Sequence, residues 1–87
     1  MTEPKFNRNQ LIKYTVHDEV RYSLILEPVW NQQAGCYLYR LNEMMAMPVY
    51  REEWLEAVTY EDFEKLAKAQ EEDKLVRHPR GYITILE

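Results

Sequence analysis

Between residues 10 and 41 the chain alternates apolar and polar side chains with a period of two. Successive side chains of an extended strand point to opposite faces, so this pattern predicts strands with one face built for burial. In QLIKYTV (10–16), Ile12, Tyr14 and Val16 alternate with Lys13 and Thr15. In VRYSLILE (20–27), Val20, Tyr22, Leu24 and Leu26 share one face, and Arg21, Ser23 and Glu27 share the other. Ile25 interrupts the polar face and predicts cover on both sides at that end. Pro28 has no N–H to give to a ladder, so a central strand should end or bulge near it. In CYLYRL (36–41), Tyr37, Tyr39 and Leu41 face away from Cys36 and Leu38. The polar residues at 17–19 suit a turn, and NQQAG (31–35) suits a hairpin loop.

A further turn at Asn42–Glu43 leads to MMAMPVY (44–50), a fourth strand with Met45, Met47 and Val49 on one face. Pro48 places that strand at an edge or a bulge. The alternation then stops. Trp54, Leu55 and Val58 predict a short helical turn or bend anchored in the core. Thr59 is a good N-cap, and Asp62 three residues later completes a capping-box pattern. The spacing predicts a helix over about 60–74 with Tyr60, Phe63, Leu66 and Ala67 as its apolar stripe. ArgHisProArgGly (77–81) reads as a turn, since the residue before a proline avoids helical geometry. YITILE (82–87) is a last strand, with either Ile83 and Ile85 or Tyr82, Thr84 and Leu86 inward. The polar start, residues 1–9, reads as a loose arm.

This order predicts an α+β single domain over 1–87. The four strand segments 10–16 (QLIKYTV), 21–27 (RYSLILE), 36–41 (CYLYRL) and 46–58 (AMPVYREEWLEAV) resemble a small SH3-like or Tudor-like barrel over roughly residues 9–58. Such barrels open on a polar-Leu-Val-x-Tyr strand, continue into a long second strand, and close with a Val-x-x-Glu-x-Leu segment, to which Val49–Leu55 is similar. The helix and last strand are additional, and the Gly-rich turn of such barrels is absent at 17–19. The expected architecture is therefore a strongly bent antiparallel sheet or SH3-like barrel of about five strands with one helix in the C-terminal half. The resemblance implies a binding module, although a fold alone does not establish a function.

The net charge of −4 is uneven. Residues 1–50 balance, and the span 52–64 carries Glu52, Glu53, Glu56, Glu61, Asp62 and Glu64 without a Lys or Arg. Nucleic-acid affinity needs a basic face that releases counterions, and an anionic membrane needs the same. Direct binding to nucleic acid or to membrane is therefore not expected; a protein partner with a basic patch is. The single Cys, Cys36, forbids an internal disulfide and any Cys-based zinc site, and no residues have metal-ligand spacing, so no cofactor is expected. His17 and His78 lie in turns without a neighbouring nucleophile motif. Adjacent glutamates on a bend lack the uneven environment that splits catalytic pKa values, so no enzymatic activity is expected. With no apolar run of spanning length and a polar start, the expected location is cytoplasmic.

Eleven aromatic residues are more than a small barrel can bury, and exposed Trp and Tyr are typical contact residues. The candidate binding residues are Trp54, Tyr60, Glu52, Glu53, Glu56, Glu61, Tyr37, Tyr39 and Met44. Trp30, Tyr37, Tyr39 and Glu43 form an alternative set, an aromatic cage for a methylated lysine, if they converge. The expected function is a non-catalytic protein-interaction module. Two further readings are a phage or mobile-element inhibitor that mimics nucleic-acid charge, and a structural subunit that forms a homo-oligomer through an edge strand.

Overall fold

The structure, a computed structural model, describes residues 3–43 and 49–87. It contains an antiparallel sheet of seven strands and one helix in the C-terminal half. The strands are β1 (Leu11–Val16), β2 (Glu19–Asn31), β3 (Cys36–Leu41), β4 (Val49–Arg51), β5 (Glu56–Ala57), β6 (Leu75–Arg77) and β7 (Ile83–Ile85). A 3-10 turn (Glu52–Trp54) joins β4 to β5, and helix α1 spans Tyr60–Glu71. The main path runs β4-β3-β2-β1-β5, and β7 pairs with β2 and β6. Among the described residues the sheet has seven strands where about five were expected. β5 and β6 have two and three residues, too few for a period of two to show.

β2 organises this arrangement. Its first half pairs with β1 in register from Val16↔Glu19 to Leu11↔Leu24, and with β7 at Tyr22↔Ile83. Its second half pairs with β3, and the register shifts between Ile25 and Glu27. This irregularity lies just before Pro28, where the missing N–H predicted it. At that point the backbone of Ile25 is satisfied by the lead-in chain: Asn9 N–H donates to the Ile25 carbonyl at 2.7 Å, and Ile25 N–H donates to the Gln10 carbonyl at 2.9 Å. The β1–β2 turn has two residues, His17 and Asp18, with φ of 49° and 66°. Two positive φ values fit the right-handed twist of the strands they join, a geometry usually left to Asn-Gly.

The core forms between the two halves of the bent sheet from Phe6, Ile12, Tyr14, Ile25, Tyr39, Leu41 and Leu55. β1 buries the face expected of it, with Ile12 and Tyr14 in the core, and β3 buries Tyr39 and Leu41. β2 does not. Directly paired residues share a face, so Ser23 and Ile25 join Ile12 in the core, while Tyr22 is buried on the opposite face, alongside Lys13. Val20 and Leu24 on that second face remain 44% and 40% exposed. The face expected to be polar is the core face, because the bend closes the sheet over Ile25. At the last strand Tyr82 and Thr84 are buried and Leu86 is exposed.

The expected loose arm is also corrected. Phe6 is 1% exposed, packs edge-on against Tyr39 with centroids 5.5 Å apart, and donates its N–H to the Tyr39 hydroxyl at 3.2 Å. A lone aromatic in a polar stretch gives no periodic signal, which is why this anchor is invisible in the pattern. The 3-10 turn and buried Leu55 agree with the predicted anchored bend, although Trp54 itself points outward. The fourth strand is described only from Val49 onward, and the Met45 and Met47 face lies outside the described residues. Replacing Phe6 with Ala should lower the unfolding free energy by about 3–5 kcal/mol, whereas Glu3→Ala should change it by less than about 0.5 kcal/mol. Denaturant titration of both variants measures the difference.

Candidate functional site

Helix α1 docks through a charged contact. Thr59 caps it: the Asp62 N–H donates to Thr59 Oγ1 at 3.2 Å, and the Thr59 N–H donates back to Asp62 Oδ2 at 2.9 Å. Lys13 of β1 donates to the same carboxylate oxygen at 2.8 Å. The Lys13 hydrogen bond, followed by the Thr59 N–H, lowers the Asp62 pKa to about 2, against the opposing effect of burial. The Asp62 carboxylate in turn raises the Lys13 pKa. Along α1 the buried residues are Asp62 and Ala69.

The predicted apolar stripe is therefore not the buried face. Tyr60 is 80% exposed and Phe63 51%, Ala67 is exposed, and Leu66 is half-buried. The part-buried Lys13–Asp62 pair holds the Asp62 side of the helix against the sheet, and the aromatic positions face outward. The helix also ends at Glu71, earlier than expected, because Asp73 takes a left-handed conformation (φ 60°) and Lys74 N–H returns to the Ala69 carbonyl.

The candidate binding residues separate into two groups. Glu53, Trp54, Glu56, Tyr60 and Glu61 lie exposed along one stretch, from the 3-10 turn through β5 into the first turn of α1. Trp54 is 55% exposed, with the Arg51 guanidinium 5.7 Å from its ring centroid, and Arg51 also pairs with Glu53 at 3.2 Å. Glu52 turns inward: it accepts the Tyr39 hydroxyl at 2.5 Å and the Lys5 N–H at 3.4 Å. Tyr39 is fully buried, so its place as an exposed contact residue is corrected to one in the core. Tyr37 is half-buried, packs against the core, and meets Trp30 edge-on at 5.0 Å. Met44 lies outside the described residues. The cage set does not assemble, since Tyr39 is buried and Glu43 accepts hydrogen bonds from the hydroxyls of Tyr14 and Tyr50. Phe63 joins the exposed stretch. Sequence reasoning assigned it to the core because periodicity identifies a stripe but not the direction in which it faces.

The internal tyrosines act as braces. Burial and then the Glu43 carboxylate raise the Tyr14 pKa well above the ordinary phenol range. Burial and the Glu52 carboxylate push that of Tyr39 up to about 12. Both phenols stay protonated near neutrality and serve as hydrogen-bond donors to their glutamates. His78 stacks on Tyr82 at 4.3 Å, contacts Thr84 Oγ1 at 2.8 Å, and closes the β6–β7 turn. There Gly81 (φ +113°) approaches the Asn42 carbonyl so closely that a Cβ would lie 2.4 Å from its oxygen. Among the described residues no group of three His, Cys, Asp or Glu side chains is placed to hold a metal ion. Among those residues, too, no helix is long and apolar enough to cross a membrane.

Comparison of the chain with protein-family models, curated proteins and solved structures finds no match.

Because the Asp62 pKa is lowered on folding, its contribution to stability is present above the ordinary carboxylate value and is lost as pH falls through about 2. Asp62→Asn should therefore flatten the acid limb of stability between about pH 4 and pH 2. Unfolding free energies measured across that window for both proteins test this.

Proposed function

We propose that this chain is a non-catalytic protein-interaction module that engages a basic surface of another protein through the stretch from the 3-10 turn into α1. The observation that carries this reading is the exposure of Trp54, Tyr60 and Phe63 at 55%, 80% and 51%. Large aromatics left in water forgo about 1.5–3 kcal/mol each of burial free energy, and such residues dominate the energy of protein interfaces. The acids interleaved with them, Glu53, Glu56, Glu61 and Glu64, are all exposed. An acidic rim around aromatic anchors favours a cationic partner, speeds its approach at low salt and disfavours phosphate backbones.

An SH3-like barrel over roughly residues 9–58 is the finer fold reading. Its support is a five-strand path in which the long β2 serves both halves of the sheet and the short β5 returns to pair with β1. In this reading β6, β7 and α1 are additions to the barrel, and α1 carries Tyr60 and Phe63.

The test is affinity capture from the native host, followed by purification of the captured protein and kinetic measurement with variants. Tyr60→Ala combined with Phe63→Ala should weaken binding by about tenfold or more, mainly through faster dissociation. Glu53→Lys, Glu56→Lys and Glu61→Lys together should mainly slow association and abolish its salt dependence. All these positions are exposed, so circular dichroism should show an unchanged fold. A purified partner that binds both variants at the original rates would refute the proposal.

A further inference from the structure

The opposite flank of α1 borders an open groove. Lys65, on the groove side, lies about 200° around the helix from Phe63, so the groove turns away from the aromatic rings and shares only Glu56 with the stretch that carries them. The groove has a volume of about 440 Å³ and runs between α1 and the second face of the sheet. Its floor includes Val20, Tyr22, Ile85 and Leu86. Val20 is 44% exposed and Leu86 61%, so apolar surface lies open inside it.

The charges around this floor are unbalanced. Lys13 and Asp62 satisfy each other at 2.8 Å. Glu19 holds Arg21 Nε at 2.7 Å. Asp18, Glu56 and Glu87 also line the groove, and against them stands one further cation, Lys65. An apolar floor excludes a fully hydrated ion as the sole ligand, and the carboxylate rim repels an anionic one.

From this we infer that the groove between α1 and the Val20–Tyr22 face of the sheet is a docking site for an extended basic segment of a protein partner, with an apolar side chain on the floor and flanking arginine or lysine side chains at the rim. The inference rests on the reading of the chain as an interaction module but not on the aromatic rings; of the acids beside them it uses Glu56 alone. Asp18 and Glu56 supply the selectivity for charge, and Val20 and Leu86 supply the apolar contact.

The experiment is an amide NMR titration of the full chain with the capped peptide Ala-Arg-Leu-Arg-Ala, alongside the same peptide with citrulline in place of both arginines. Citrulline keeps the shape and removes the charge. Saturable shifts are expected at Val20, Tyr22, Ile85 and Leu86, with the citrulline peptide weaker by about fivefold or more. Asp18→Lys combined with Glu56→Lys should weaken the arginine peptide by about tenfold, and Leu86→Asp should remove the preference for a central leucine over alanine. Glu71→Lys, an exposed helix substitution away from the groove, should stay within about twofold of the parent. Spectra of the free variants report directly whether each remains folded. Equal affinity for the citrulline peptide, or no shift at the groove, overturns the inference. Shifts confined to Trp54, Tyr60 and Phe63 overturn it while leaving the interaction-module reading intact, and that reading stands or falls separately on the purified partner.

Discussion

One strand that belongs to both halves of the sheet is the constraint on which the rest of the structure depends. β2 runs for 13 residues, pairs with β1 and β7 along its first half, and pairs with β3 along its second. A strand of that length cannot stay flat and also enclose a core in a chain of 87 residues. The register shift between Ile25 and Glu27 supplies the bend. On the other edge of β2 at the same point, Asn9 and Gln10 carry the β1 side of the pairing on to Ile25, so its backbone groups are not left unpaired. The N-terminal segment is thus fastened where the sheet bends, and Phe6 inserts beside Tyr39 as a consequence.

A second consequence concerns the helix. The face of the sheet opposite the core carries Lys13 beside Tyr22, and Lys13 meets the capping carboxylate of α1. One side chain thus caps the start of the helix and pairs with a lysine of the sheet. Asp62 is held from three directions, by Lys13, the Thr59 N–H and the Thr59 hydroxyl. A rotation that buried Tyr60 and Phe63 instead would carry Asp62 away from Lys13, so the helix as docked leaves both rings exposed.

Much of the fold was legible in the residues. The period of two located β1, β2 and β3, Pro28 marked the irregularity of β2, and Thr59 with Asp62 marked the start of α1 and its capping box. The candidate site was legible in part. Trp54, Tyr60 and the acids of 52–61 lie on the surface, apart from Glu52, which the Tyr39 hydroxyl draws inward. Tyr39 illustrates the limit. Its alternation with Arg40 assigns it a face, but only the pairing of β3 with β2 and β4, and the arrival of Phe6, make that face the interior.

The sequence by itself determined which segments extend, where the helix starts and where the negative charge accumulates, because these depend on residues within a few positions of one another. Tertiary structure decided which face of β2 became the core, that Phe6 anchors the segment before β1, and that the apolar stripe of α1 turns to solvent. Each of those outcomes rests on a contact between residues distant in the chain, such as Lys13 with Asp62 or Phe6 with Tyr39, which no pattern of near neighbours can report.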